Sequence, residues 1–213
     1  ALLPAAGVPL TWENMTLRHF SNTVQNPRVV DGFLNSLSLS LTAALICGVL
    51  GWLIGILVTR TRSFDNTLLT LVTLLPSALP GLIIGVGWLI IGRYTGTYNT
   101  RWIILLAYLC AYTATVLQAV RAPLKGTPIA MEEAARISGA GKLRAIFNTS
   151  GAMAVPAAIS GAVLVAVTAI RELTVSVLLI APGTTTLGVQ LFNLQQAGNY
   201  NQASALAFMF TAA

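Results

Sequence analysis

Few side chains in this sequence could perform acid–base, nucleophilic or metal chemistry, and those few are scattered. The 213 residues include six Asp or Glu, one His and two Cys. Cys47 and Cys110 lie in apolar runs far from His19, so they do not form the ligand cluster that a zinc site needs. A membrane-embedded hydrolase or transferase would need nucleophiles or ionisable residues in these runs, which hold only scattered Ser and Thr. The sequence therefore predicts no catalytic residue, no metal site and no cofactor site in this chain.

One short segment, Ser138-Gly-Ala-Gly-Lys-Leu143, superficially matches a phosphate-binding loop. Such a loop needs a glycine five residues before its second glycine and Ser or Thr after the lysine. Arg136 and Leu143 occupy those two positions. We therefore reject an ATP site here, and any ATP and Mg²⁺ are expected on a partner protein.

The distribution of charge along the chain predicts its secondary-structure elements. Only 8% of the residues are charged and 55% are hydrophobic, whereas a soluble domain carries about 25% charged residues. The composition excludes a soluble enzyme, a disordered tail and a nucleic-acid-binding module. Because about 20 apolar residues cross a bilayer as a helix, we predict an all-α, polytopic transmembrane bundle with about five spans. They lie near residues 33–59, 67–91, 102–120 and 152–180, and from 203 onward.

The first and last parts of the sequence differ from the spans between them. Residues 1–31 are mixed in polarity and are predicted to be an outward-side lead-in with a short interfacial helix near 16–24, before a transmembrane domain at 32–213. The chain ends inside an apolar run, so we expect the last span to be cut off and the sequence to be an excerpt.

Glycine and proline modify the first two predicted spans. Gly48, Gly51 and Gly55 lie on one broad face of the first span, which lets another helix approach closely in lipid. Pro76, Pro80 and Gly81 interrupt the second span, because proline removes a backbone donor. A simple packing kink and a bend that lines a pathway are both open at this point.

The basic residues predict the orientation. Seven of the twelve Lys and Arg lie in the segments 60–65 and 121–150: Arg60, Arg62, Arg121, Lys125, Arg136, Lys142 and Arg144. Cytoplasmic loops of membrane proteins carry an excess of basic residues. We therefore place these two segments in the cytoplasm, and the lead-in, the 93–101 loop and the 181–202 loop outside.

The segment 121–150 predicts a helix–turn–helix, which we call the elbow. Thr127-Pro128 is a suitable helix start, with a capping hydroxyl before proline, and Glu132 and Arg136 are spaced as an i, i+4 ion pair. The Ser138–Gly141 segment breaks this helix, and a second one starts at Lys142. An ordinary solvated loop is one interpretation. The alternative is a docking element, since Ile129, Ala130, Ala134 and Ile137 stand among its charges.

A family resemblance adds to this pattern. Glu133-Ala-Ala-Arg-Ile-Ser-Gly139, with the later Pro156, resembles the EAA loop of permease subunits of bacterial binding-protein-dependent ABC importers. Glu133, Ala134, Ala135 and Gly139 match position by position, whereas Gly151-Ala152 replaces the usual Leu-Pro. The resemblance extends to Asn35-Ser36 and to Leu79-Pro80-Gly81. Arg171-Glu172-Leu173, followed by Pro182-Gly-Thr-Thr-Thr-Leu187, is most similar to the ferric-iron subgroup, whose permeases are often two fused halves.

The resemblance implies a type I importer core working by alternating access in the bacterial inner membrane. It implies three partners besides lipid, and no nucleic acid: a cytoplasmic ATPase dimer that holds ATP and Mg²⁺, a second permease half, fused or separate, and a periplasmic solute-binding protein. The elbow would dock into the ATPase through Glu132, Glu133, Ala134, Ala135 and Gly139. Ferric iron is the first expected solute, with thiamine, organophosphonate or another anion open. A secondary transporter without an ATPase is the alternative class.

Arg171 and Glu172 interrupt the charge-free pattern near the outer part of the fourth predicted span. Ionisable residues within a span usually face the bundle interior or a wet cavity. A gate or pathway role, together with Pro80 and Gly81, and an interfacial pair that marks the end of the span are both open.

Overall fold

The chain folds into helices joined by short irregular segments. The structure is a computed structural model that describes residues 2–3, 9, 11–61 and 65–212. Within this part of the chain there is no β-strand. The α-helices are α1 (Arg18–Val24), α2 (Pro27–Arg60), α3 (Asp65–Leu74), α4 (Gly81–Thr95), α5 (Arg101–Gly126), α6 (Ile129–Ile137), α7 (Lys142–Ile146), α8 (Ala152–Ile170), α9 (Leu187–Gln196) and α10 (Tyr200–Ala212).

In the part of the chain that the structure describes, three helical stretches are long and apolar enough to cross a membrane: Pro27–Arg60, Arg101–Gly126 and Lys142–Ile170. The first begins earlier than predicted, inside the predicted lead-in. Pro27 starts it because the missing proline amide would have no partner there, and the Asn26 side chain accepts a hydrogen bond from the amide of Arg28. The third combines α7, a π-helical turn at Phe147–Gly151 and α8. It ends at Ile170, so the predicted continuation to Ile180 is wrong.

The second predicted span is broken. Asp65–Ala78 and Gly81–Thr95 meet at 114°, far more than a packing kink. Leu79 is extended, with ψ of 141°, as the ring of the following Pro80 requires. The two prolines also withdraw backbone donors from this stretch, and the chain re-enters a helix only at Gly81.

By length and composition, the described residues contain three spans, or four if the bent pair counts as one, against about five predicted. The predicted fifth span corresponds to α10, which has 13 residues. A short helix, α1, lies where an interfacial helix near 16–24 was predicted, and it packs on α10. Arg62, which contributed to the predicted orientation, lies outside the described residues.

The core is formed where α2, α5 and α8 pack together. Gly51 and Gly55 face α5: a Cβ on Gly51 would stand 2.6 Å from Val116 Cβ, and one on Gly55 would stand 2.4 Å from Val120 Cγ2. Gly48 faces Ala162 of α8. The predicted close approach along this glycine face is therefore confirmed, and it holds together the three helices that carry the elbow at one end of the bundle.

Candidate functional site

The helix–turn–helix elbow is present. The first helix, α6, ends at Ile137, and Gly139 has a φ of +93°, in the left-handed region. The amide of Ala140 donates to Ala135 O at 3.0 Å and that of Gly139 donates to Arg136 O at 3.0 Å. These bonds close the C-terminus of α6 in the manner of a Schellman motif. The chain then turns sharply into α7 at Lys142.

The prediction that Thr127 caps the N-terminus of α6 is wrong. Thr127 Oγ1 donates to Pro123 O at 2.8 Å, and the N-cap residue of α6 is Pro128, with no side-chain cap. Thr127 ends α5 instead of starting α6, because its hydroxyl is within reach of a carbonyl at the end of that helix.

The exposed outer face of the elbow combines apolar side chains with one carboxylate, Glu133, and with the basic residues Arg136, Lys142 and Arg144. Ile137 is 88% exposed and Leu143 is 71% exposed. Glu133, Ala134 and Gly139 are also exposed, and Ala135 is partly buried. Ile137 and Leu143 are therefore candidates for a partner-binding surface.

Glu132 has the opposite orientation and does not lie on this exposed face. Its carboxylate is buried, and Arg60 Nε at the end of α2 lies 2.9 Å from Glu132 Oε1. The predicted local pair with Arg136 is therefore wrong. Ser150 also donates a hydrogen bond to Glu132 Oε1. Sequence spacing missed Arg60 because it identifies neighbours only within one helix.

Arg60 connects the elbow to the end of α5 as well. Its Nη2 donates to Leu124 O at 2.7 Å and to Thr127 O at 2.8 Å. On the other side, Trp52 Nε1 of α2 donates to Gly151 O at 2.9 Å, in the π-helical turn that joins α7 to α8. The elbow is thus attached to all three core helices at one end of the bundle.

A second polar cluster surrounds Glu172, two residues after the end of α8. Glu172 accepts hydrogen bonds from the Tyr112 hydroxyl, from Thr174 Oγ1 at 2.5 Å and from the amide of Val175 at 2.9 Å. Tyr112 lies near the midpoint of the 26-residue helix α5. The chain therefore folds back toward the middle of α5 directly after α8 ends at Ile170.

The same cluster contacts the break in the second span. A Cβ on Gly81 would stand 2.2 Å from Thr174 Oγ1 and 3.2 Å from Val175 Cγ2. Pro80 precedes Gly81 as the N-cap residue of α4. Gly81 and Glu172 are therefore brought together through Thr174, whereas Arg171 is exposed and lies 6.0 Å from the ring centre of Phe210.

The segment between α8 and α9 is largely irregular and in part buried, and several of its polar groups have partners. Asn35 Nδ2 donates to Gly183 O at 3.0 Å and to Thr185 O at 3.1 Å. Ser36 Oγ accepts from the amide of Leu187, the first residue of α9, at 2.8 Å. Backbone groups outside regular helices need such partners where they are buried. A polar cavity of about 560 Å³ opens beside this segment, lined in part by Arg28, Asp31 and Gln190.

Comparison with known proteins identifies related sequences. The family described as "Binding-protein-dependent transport system inner membrane component" matches residues 29–213. The permease protein PhnV of Salmonella paratyphi A, named for 2-aminoethylphosphonate transport, is 28% identical over 203 residues, which cover 92% of this chain and 75% of that protein. The putrescine transport system permease protein PotI of Escherichia coli K12 is 24% identical over 209 residues, covering 95% and 74%.

Two crystal structures show the same fold. A bacterial ABC transporter involved in the import of the acidic polysaccharide alginate aligns with a TM-score of 0.68 at 15% identity, covering 92% of this chain and 78% of that chain. The alginate transporter in complex with an alginate pentasaccharide-bound periplasmic protein aligns with a TM-score of 0.71 at 15% identity, covering 94% and 79%. The predicted all-α importer fold is therefore confirmed.

Proposed function

Since this chain belongs to the family of binding-protein-dependent transport system inner membrane components, we propose that it couples ATP hydrolysis on a partner ATPase dimer to solute import. The chain supplies the membrane pathway together with a second permease half, and a periplasmic protein delivers the solute. ATP and Mg²⁺ belong to the ATPase. Among the described residues, no group of three or more His, Cys, Asp or Glu is arranged to hold a metal ion.

The elbow is the observation that carries this proposal. Glu133, Ile137 and Leu143 of the elbow are exposed on its surface, and its second helix continues into α8. A partner that grips the exposed face therefore acts on a membrane-spanning helix through a short, continuous lever. Displacement of packed helices by a rigid element is a known form of conformational switching.

The substrate is proposed from the named relatives. PhnV is named for 2-aminoethylphosphonate transport and PotI for putrescine transport. We place an organophosphonate ahead of ferric iron, since the first is named in a relative that aligns with most of this chain. Ferric iron stays a prediction that rests on the Arg171–Leu187 pattern.

The experiment is purification of the tagged chain from its own host, followed by reconstitution with the proteins that accompany it. We expect an ATPase to co-purify, and we expect proteoliposomes to accumulate 2-aminoethylphosphonate only with internal ATP. Uptake of labelled ferric iron in its place would correct the substrate. Uptake driven by an ion gradient without any ATPase would instead support a secondary transporter.

We also propose that Glu172, Pro80 and Gly81 form part of a gate at the broken span. One oxygen of the Glu172 carboxylate accepts a hydrogen bond from Tyr112 and the other accepts one from Thr174. Glu172→Gln replaces one of these oxygens with an NH2 group, which can only donate. Loss of a hydrogen bond to a charged group costs about 1.5–3 kcal/mol, so we expect uptake to fall on the order of tenfold. Initial uptake rates at equal membrane levels measure this.

Arg171→Gln is the matched control, because Arg171 is the exposed neighbour of Glu172 and packs on Phe210. We expect a small effect from this change and a double variant no better than Glu172→Gln alone. If the double variant recovered uptake, Arg171 and Glu172 would instead act as a pair. If Glu172→Gln had no effect, the gate proposal would fail.

A further inference from the structure

One buried ion pair lies where the elbow meets the core helices. The side chains of Arg60 and Glu132 are 6% and 11% exposed, and Arg60 Nε is 2.9 Å from Glu132 Oε1. We propose that these two are positioning residues, which lock the angle of α6 to the inner ends of α2, α5 and α8. The lock would transmit ATPase motion to all three spans, and in this respect it rests on the proposed function.

The guanidinium of Arg60 is suited to this role because it has donors in several directions. While Nε faces Glu132, Nη2 donates to Leu124 O and Thr127 O. The carbonyls at the end of a helix have no intrahelical partner and carry partial negative charge. A single side chain of α2 therefore holds both the end of α5 and the start of the elbow.

Glu132 completes the connection to α8. Its Oε1 accepts a hydrogen bond from Ser150, which lies in the π-helical turn between α7 and α8. Trp52 Nε1 donates to the carbonyl of Gly151 in the same turn, and its ring packs on Phe147 at 5.4 Å between centroids. The elbow is thus held at both ends by directional contacts.

Stability alone does not account for a buried ion pair at this place. Replacing such a pair with apolar side chains is often neutral or stabilising, because two charges must lose their hydration. A purely apolar contact would nevertheless allow α6 to slide or rotate. The hydrogen bonds from Arg60 Nη2 to Leu124 O and Thr127 O, and from Ser150 to Glu132, have fixed directions. The pair therefore fits a geometric role.

The two neighbouring carboxylates have different surroundings. Glu132 is buried against Arg60 and Ser150, and Glu133 is exposed on the outer face. Residues one apart on a helix point in different directions. We assign Glu133 to the partner-facing surface and Glu132 to the internal attachment.

The angle of the elbow can be measured on the full chain in nanodiscs. Spin labels at Ile137→Cys and Leu57→Cys, in a background with Cys47 and Cys110 replaced by Ala, report the distance from α6 to the inner end of α2. Ile137 and Leu57 are 88% and 48% exposed. We expect one narrow distance distribution in the parent and in the control Arg136→Gln, and a broad one in Arg60→Lys and Glu132→Gln.

A double variant separates positioning from stability. Arg60→Met with Glu132→Gln leaves no charge stranded, so we expect its thermal stability to return toward that of the parent while the distance distribution stays broad. We expect solute uptake per ATP hydrolysed to fall about tenfold in the single and double variants, with ATPase activity retained.

Three results would overturn the proposal. They are a narrow distribution in Arg60→Lys and Glu132→Gln, a narrow distribution restored in the double variant, and a broad distribution with unchanged uptake per ATP. If the parent neither binds nor responds to an ATPase, the proposed function fails and the transmitting role fails with it. The distance measurement still decides whether the pair fixes the elbow.

Discussion

We expect Gly139→Pro to abolish solute uptake while the protein still inserts into the membrane. Gly139 has a φ of +93°, and the proline ring fixes φ near −65°. Proline also removes the amide that donates to Arg136 O. The turn between α6 and α7 would have to rebuild, so the exposed face of α6 would point away from its partner. ATP-dependent uptake and ATPase stimulation in proteoliposomes measure the loss.

Alanine substitutions provide a milder test with a matched control. A Cβ on Gly139 or on Gly141 would meet no atom within 4 Å, so the two changes differ only in backbone conformation. Gly141 has a φ of −62°, which any residue adopts, whereas the left-handed region costs a non-glycine residue about 1–2 kcal/mol. We expect Gly139→Ala to lower uptake and Gly141→Ala to leave it unchanged. Equal uptake in the two variants would show that transport does not require the left-handed backbone conformation at Gly139.

The second large effect is expected at Gly51, where α2 and α5 are in close contact. A Cβ there would stand 2.6 Å from Val116 Cβ and 3.0 Å from the amide nitrogen of Leu117. Neither atom is the end of a flexible chain, so the helices must separate. Overpacking of a core costs about 1–3 kcal/mol, which we expect for Gly51→Ala. We expect Gly51→Leu to prevent accumulation of folded protein.

Gly87 provides the control for this change. It lies in α4, and a Cβ on it would meet nothing within 4 Å. Gly87→Leu should accumulate and unfold like the parent, as measured by thermal unfolding of purified protein in detergent. If Gly51→Leu were as stable as Gly87→Leu, the close contact of α2 with α5 would be contradicted.

Features that depend on local sequence were predictable. Runs without charge located the three long spans and the broken one, because a helix in lipid cannot accommodate many charges. The glycine face of the first span and the turn at Gly139 were also predicted, since each depends on residues within one or two helical turns. The fold class followed from these elements and from the EAA resemblance.

Features that depend on distant residues were not predictable. Glu132 was expected to pair with Arg136 one turn away, but Arg60 from another helix takes that place. The prolines of the second span predicted an interruption but not an angle of 114°, and the contact of Gly81 with Thr174 joins residues far apart in the sequence. Likewise, nothing in the spacing of Arg171 and Glu172 indicated that the chain folds back to Tyr112.

The π-helical turn at Phe147–Gly151 determines how α7 is rotated relative to α8 about the helix axis. A π-turn holds one residue more than the α-helical turn it replaces, and each residue of an α-helix advances by about 100° around its axis. Losing one residue there would restore regular α-helical bonding and rotate α7 by about that angle relative to α8. Ser150 could no longer face Glu132 while α8 kept its lipid-facing side. Insertions and deletions in this turn are therefore constrained in length, whatever the identity of the residues.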